Sequence, residues 1–214
     1  AILGVALNTN IYGNAGMVPM MVLSAVPFFN VYAVLILQFS PHTDENGRLI
    51  PPERNGAAAV RRALVNVVKN PIILGILLGV PFSLLRVKLP GILASTLSTI
   101  GGTATPVALL AVGASFSGSE AAKCMKPALA ATAIKLFILP AIFLPIAALF
   151  GFTGSAMIAI LILVGSPTTV SCYVMAKNMG HRGVLTSNVV MLATVLSSVS
   201  LTLWIFLLRL FRLL

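Results

Sequence analysis

The chain is short of acid. Its 214 residues hold only four carboxylates, Asp44, Glu45, Glu53 and Glu120, and all charged residues together make up 8% of it. Each acid falls in a stretch that reads as a loop, so no carboxylate is available inside any apolar segment. A proton or sodium relay within a membrane normally needs such a group. Histidine is scarce too. His42 and His181 stand alone at segment edges, without the clustered ligands that a metal site requires, and no cofactor is implied. Cys124 and Cys172 are far apart, and one lies in an apolar run. They read as free thiols rather than as a disulfide or a metal pair.

What remains is apolar. Hydrophobic residues make up 58% of the chain and the mean hydropathy is +1.06, more than a soluble domain of this length could carry on its surface. The composition is that of an all-α polytopic membrane protein. A helix needs about 20 apolar residues to cross a hydrocarbon core of about 30 Å. After an opening fragment, segments 17–39, 71–86, 90–116, 127–151, 155–177 and 184–208 read as spans. One long polar connection, residues 40–70, interrupts them. Pro41, Pro51 and Pro52 favour a loop there, and "AAAVRRALVNVV" at its end reads as an amphipathic helix on the membrane surface. The chain opens on "AILGVALNTN", which has no cleavable-signal pattern and looks like the later part of a longer protein.

The net charge of +10 does not point to nucleic acid, because the basic residues are spread between the spans. Arg48, Arg54, Arg61, Arg62, Lys69, Lys123, Lys126, Lys177 and Arg182 fall on one side of an alternating topology. Only Arg86, Lys88, Arg209 and Arg212 fall on the other. The positive-inside rule then makes loop 40–70 cytoplasmic and the C-terminus external, in a cell-membrane protein. Lys135 is the one basic residue well inside a span. It either attracts an anion or replaces a cation, or else its stem snorkels or its head pairs with a carbonyl.

The span at 155–177 runs into "LVGSPTTVSCYVMAKNMG", residues 163–180, in which a hydrophobic run stops for Ser166, Pro167, Thr168, Thr169 and Ser171. Proline removes a helical hydrogen bond and crowds the preceding turn, and lipid cannot satisfy the carbonyls this frees. A simple kink, with hydroxyls bonding back to the preceding turn, would account for the pattern. A discontinuous helix at the midplane of a secondary transporter also would. Laying residues 2–18 over 163–179 matches Gly4 with Gly165, Tyr12 with Tyr173 and Ala15 with Ala176, while Ala6 falls where Pro167 does. The opening fragment also has a polar stretch, Asn8, Thr9 and Asn10, just after the shared glycine. Two matching interrupted helices suit a transporter built from repeated halves.

At these residues the sequence resembles the auxin efflux carrier family. "ILGVALNTNIYG" is similar to its fourth helix, "KNPIILGILLGV" to the start of the sixth, "TPVALLAVGASF" to the seventh, "IKLFILPAI" to the eighth and "GSPTTVSCYVMAKNMG" to the ninth. The matches run in family order over nearly the whole chain. The resemblance implies a ten-helix inverted-repeat fold with crossed broken helices. Residues 1–39 would end the first repeat, 40–70 form the cytoplasmic loop and 71–214 supply the second repeat, the N-terminal helices being missing from this chain. Ala6 departs from the family's proline in helix four. The implied function is secondary transport of a small organic anion, a carboxylate, by elevator-type alternating access in the lipid bilayer, with a homodimer as the expected assembly. The resemblance assigns substrate binding to Asn8, Asn10, Asn30, Tyr32, Ser166, Pro167, Thr168, Thr169 and Ser171. Asn188 is added from the polar run of the last span. A truncated or non-transporting membrane protein is the alternative, and an intramembrane enzyme is a further one, although the spans show no nucleophile with a base.

Overall fold

The structure is a computed structural model that describes residues 2–43, 49–50, 65, 71–85, 89–114 and 118–214. Among the described residues the regular structure is helical apart from one two-residue antiparallel ladder, β1 (His42–Thr43) with β2 (Leu49–Ile50). The helices are α1 (Ile2–Tyr12), α2 (Val18–Phe39), α3 (Pro71–Leu84), α4 (Gly91–Ala114), α5 (Gly118–Lys123), α6 (Met125–Ala133), α7 (Leu139–Leu149), α8 (Gly154–Gly165), α9 (Val170–Asn178) and α10 (Val184–Leu210), with a π-helical turn at Ile134–Ile138 between α6 and α7. Apart from Val65, the surface helix expected at 57–68 lies outside the described residues, as do the acids and bases of loop 40–70 and Arg86 and Lys88.

Among the described residues, four helical stretches are long and apolar enough to cross a membrane: 18–39, 91–114, 125–149 and 184–210. The pair α8 and α9 makes a fifth if the two count as one span. These agree with the spans expected from hydropathy. Helix α3 is shorter than expected: its 14 residues reach about 21 Å at 1.5 Å per residue, less than a hydrocarbon core. Large apolar side chains point outward along the spanning helices, Ile92 at 87% exposure and Leu110 at 74% among them. Lipid is the solvent that suits such a surface.

By packing, the chain divides into two compact units. The first comprises Ala1–Val26, Ser117–Thr169 and Val184–Leu214. Its core joins Leu144 and Ala147 of α7, Met157, Ile158, Leu161 and Ile162 of α8, and Leu201 and Leu208 of α10. Helix α1 packs on α8, and α10 packs on α6. The second unit comprises Pro27–Phe116 and Val170–Gly183. There α9 packs on α4, and Val34 of α2 meets Met175 of α9 in a small cluster with Leu37 and Met179. The turn after α9 closes on Gly180, at φ +82°, with the His181 amide donating to Ala176 O. His181 Nε2 also lies 3.2 Å from Leu37 O at the end of α2.

Two prolines shape the first unit. Pro140 has no N–H to offer Leu136 O, its partner four residues back, and its ring crowds the turn behind it. The helix widens just before it: the Leu139 amide reaches back five residues to Ile134 O, which makes the π turn. Trp204 Nε1 of α10 then donates to Leu136 O at 2.9 Å, supplying the bond that Pro140 cannot. Pro167 repeats the situation in the neighbouring helix.

Candidate functional site

Helix α8 ends where Pro167 requires it to. A residue before proline is pushed out of the helical region toward extended backbone, and Ser166 adopts φ −72° and ψ 153°. The Ser166 amide makes the last helical bond, to Ile162 O. Residues 166–169 form the gap, and helix resumes at Val170.

The next carbonyl, Leu163 O, would take the amide of residue 167, which a proline lacks. Instead Lys135 Nζ donates to Leu163 O at 3.2 Å. Lys135 sits in the π turn ahead of Pro140. The Pro140 ring lies against Gly165, where a Cβ would stand 3.0 Å from its Cγ. Glycine at 165 lets the end of α8 come this close to the π turn. Of the alternatives open for Lys135, the carbonyl pairing is the one observed.

Several hydroxyls elsewhere bond back along their own helix. Thr96, Thr99, Thr103, Thr194, Ser197 and Thr202 all donate to carbonyls three or four residues back, the arrangement that makes helical hydroxyls uninformative. Ser166, Thr168, Thr169 and Ser171 have no side-chain hydrogen-bond partner among the described residues. Ser166 and Thr168 are half-buried, Thr169 and Ser171 exposed. A simple kink with back-bonded hydroxyls therefore does not describe this segment.

The asparagines of the opening fragment lie elsewhere. Helix α1 runs unbroken through Asn8, Thr9 and Asn10, because Ala6 keeps the N–H that Pro167 lacks; the expected interruption there is absent. Gly4 packs beside Ile162 and the Tyr12 hydroxyl lies near Gly154, so α1 runs antiparallel to α8 and brings Asn8 to the start of α8. Ser166 is about 16 Å farther along that helix. Asn8 is fully buried there: its Nδ2 donates to Asn14 O at 2.8 Å, and its Oδ1 has no partner among the described residues. Close by, the Met17 amide donates to Ser155 Oγ at 3.0 Å and the Gly16 amide to Asn14 Oδ1. Asn10 is exposed. Asn188, also buried, donates from Nδ2 to Ala121 O at 2.9 Å and ties α10 to α5. Asn30 and Tyr32 belong to α2 within the second unit, half-buried and exposed respectively.

A family model for membrane transport proteins, of the auxin efflux carrier type, matches residues 1–205. The chain belongs to that family. The match takes in every helix from α1 to α9 and most of α10, so the multi-pass membrane architecture and a membrane transport function apply to the chain as a whole. The family is one of transporters rather than enzymes. No curated protein and no solved structure gives a significant match. The sequence points to the break, but not to the contacts that support it. The signal for the Lys135 contact is present in the spacing: Leu163 stands four residues before Pro167, and a carbonyl so placed needs a donor from elsewhere.

Proposed function

We propose that this membrane transport protein is a secondary transporter that moves a small organic anion, a carboxylate, by elevator-type alternating access, and that the proline break at Ser166–Thr169 is where the anion is held. The observation that carries the reading is the set of four hydroxyls left without partners at a proline break in a span. A helix start leaves its first amides open and carries partial positive charge, which favours a carboxylate. Ser166, Thr168, Thr169 and Ser171 add hydroxyl donors. The break lies about 18 Å along the helix from Gly154, far enough from the start of the span to stand near the middle of a bilayer.

The scarcity of acid supports the choice of anion, since Asp44, Glu45 and Glu53 fall in loop 40–70 and Glu120 in the short helix α5. Charge bias supports a topology with loop 40–70 inside and the C-terminus outside. The test is uptake of radiolabelled mono- and dicarboxylates into proteoliposomes carrying the complete gene product. Saturable uptake of a carboxylate, inhibited by its close analogues and not by amines, is expected. Saturable uptake of cations alone would reject the anion.

A further inference from the structure

Leu163 O is the carbonyl that Pro167 orphans, and the one side-chain hydrogen bond Lys135 makes among the described residues goes to it. An orphaned carbonyl in a span has no water to turn to, and leaving a buried polar group unpaired is more damaging than the bond itself is favourable. The donor is held in place. It rises from a π turn that Pro140 forces on its own helix, and the ring of Pro140 rests on Gly165, two residues past Leu163. Trp204 Nε1 repairs the equivalent loss at Leu136 O. In this unit, two prolines each remove a backbone donor and a side chain from another helix replaces each one.

We propose that Lys135 is a positioning residue of the transport site: its amine substitutes for the N–H that Pro167 lacks, and so holds the end of α8 in the geometry that leaves Ser166 and Thr168 open. Its importance for an anion rests on the function proposed above, while the coupling between Lys135 and Pro167 does not. The head group lies at the C-terminal end of α8, where the helix dipole favours a cation. Snorkelling to an interface would require no particular carbonyl. Replacing the proline amide specifies this one.

A double-mutant cycle on the complete gene product tests the assignment. Thermal midpoints in detergent are measured for wild type, Lys135→Met, Pro167→Ala and the double variant. Lys135→Met is expected to lower the midpoint by about 4 °C or more, and by less than half as much in the Pro167→Ala background, where the new alanine can give its own amide to Leu163 O. If Lys135→Met does not fold alone, the double variant still should, since the alanine amide removes the need for the lysine. Lys135→Arg, which keeps an N–H donor at the end of a long stem, should recover most of the stability. It should also recover the KM for the transported carboxylate, which Lys135→Met raises. Equal losses from Lys135→Met in both backgrounds, or a double variant that also fails to fold, would overturn the assignment. Coupled midpoints in a protein that transports no carboxylate would leave it standing and reject the proposed function alone.

Discussion

A single missing hydrogen atom organises the neighbourhood of the break. Proline at 167 has no N–H, so Leu163 O turns to Lys135 and Ser166 turns extended. The same scale explains the knot at the other end of α8. Gly16 has φ +54°, and a Cβ there would overlap the Ser155 hydroxyl and the Asn8 amide. Gly16→Ala should therefore cost about 1–3 kcal/mol from backbone strain and crowding together, seen as a lowered midpoint in thermal unfolding. Gly13→Ala serves as its control. It too has positive φ, +75°, but its Cβ would meet nothing within 4 Å, so a smaller loss of about 1 kcal/mol is expected. Equal losses at the two glycines would show that strain alone, and not the packing of Asn8 and Ser155, sets the effect.

At the scale of elements, the π turn is the feature that the sequence pattern does not reveal. Hydropathy predicts one span over 127–151, and one continuous helical stretch over 125–149 is what forms. A five-residue change of helical register inside it leaves no mark in the apolar pattern. Pro140 is visible in the sequence, yet its consequence depends on Trp204, which lies 64 residues away in sequence and packs from α10. Trp204→Phe keeps the apolar ring and removes the donor to Leu136 O. It should cost about 1–3 kcal/mol, the penalty for a buried carbonyl left unpaired. The cost should shrink when Pro140→Ala is added, because residue 140 can then supply its own amide. Gly165→Val is a packing test of the same corner. Its Cβ would crowd Pro140 at 3.0 Å and Leu161 at 3.3 Å, and overpacking of this kind costs about 1–3 kcal/mol.

For the molecule as a whole, the spans are legible because burial in lipid demands long apolar runs, and the break is legible because proline and hydroxyls interrupt one. The opening helix departs from expectation for a physical reason. Asn8, Thr9 and Asn10 look like an interruption in composition, but each keeps its backbone amide, so α1 stays helical and Asn8 spends its polarity on the turn to α2. Asn188 likewise reads as a candidate ligand by residue type, while its amide bonds Ala121 O. Polar side chains in a span are ambiguous until their partners are known. Those at 166–171 have no side-chain partner among the described residues and stand where a proline also interrupts the helix. The central claim is that this open segment holds the transported anion, and its most direct test compares wild type with Pro167→Ala at equal amounts of folded protein in proteoliposomes. Restoring a continuous helix should reduce carboxylate uptake about tenfold or more, equivalent to at least about 1.4 kcal/mol, with expression and thermal midpoint changed far less. Uptake at the wild-type rate by Pro167→Ala would contradict the account.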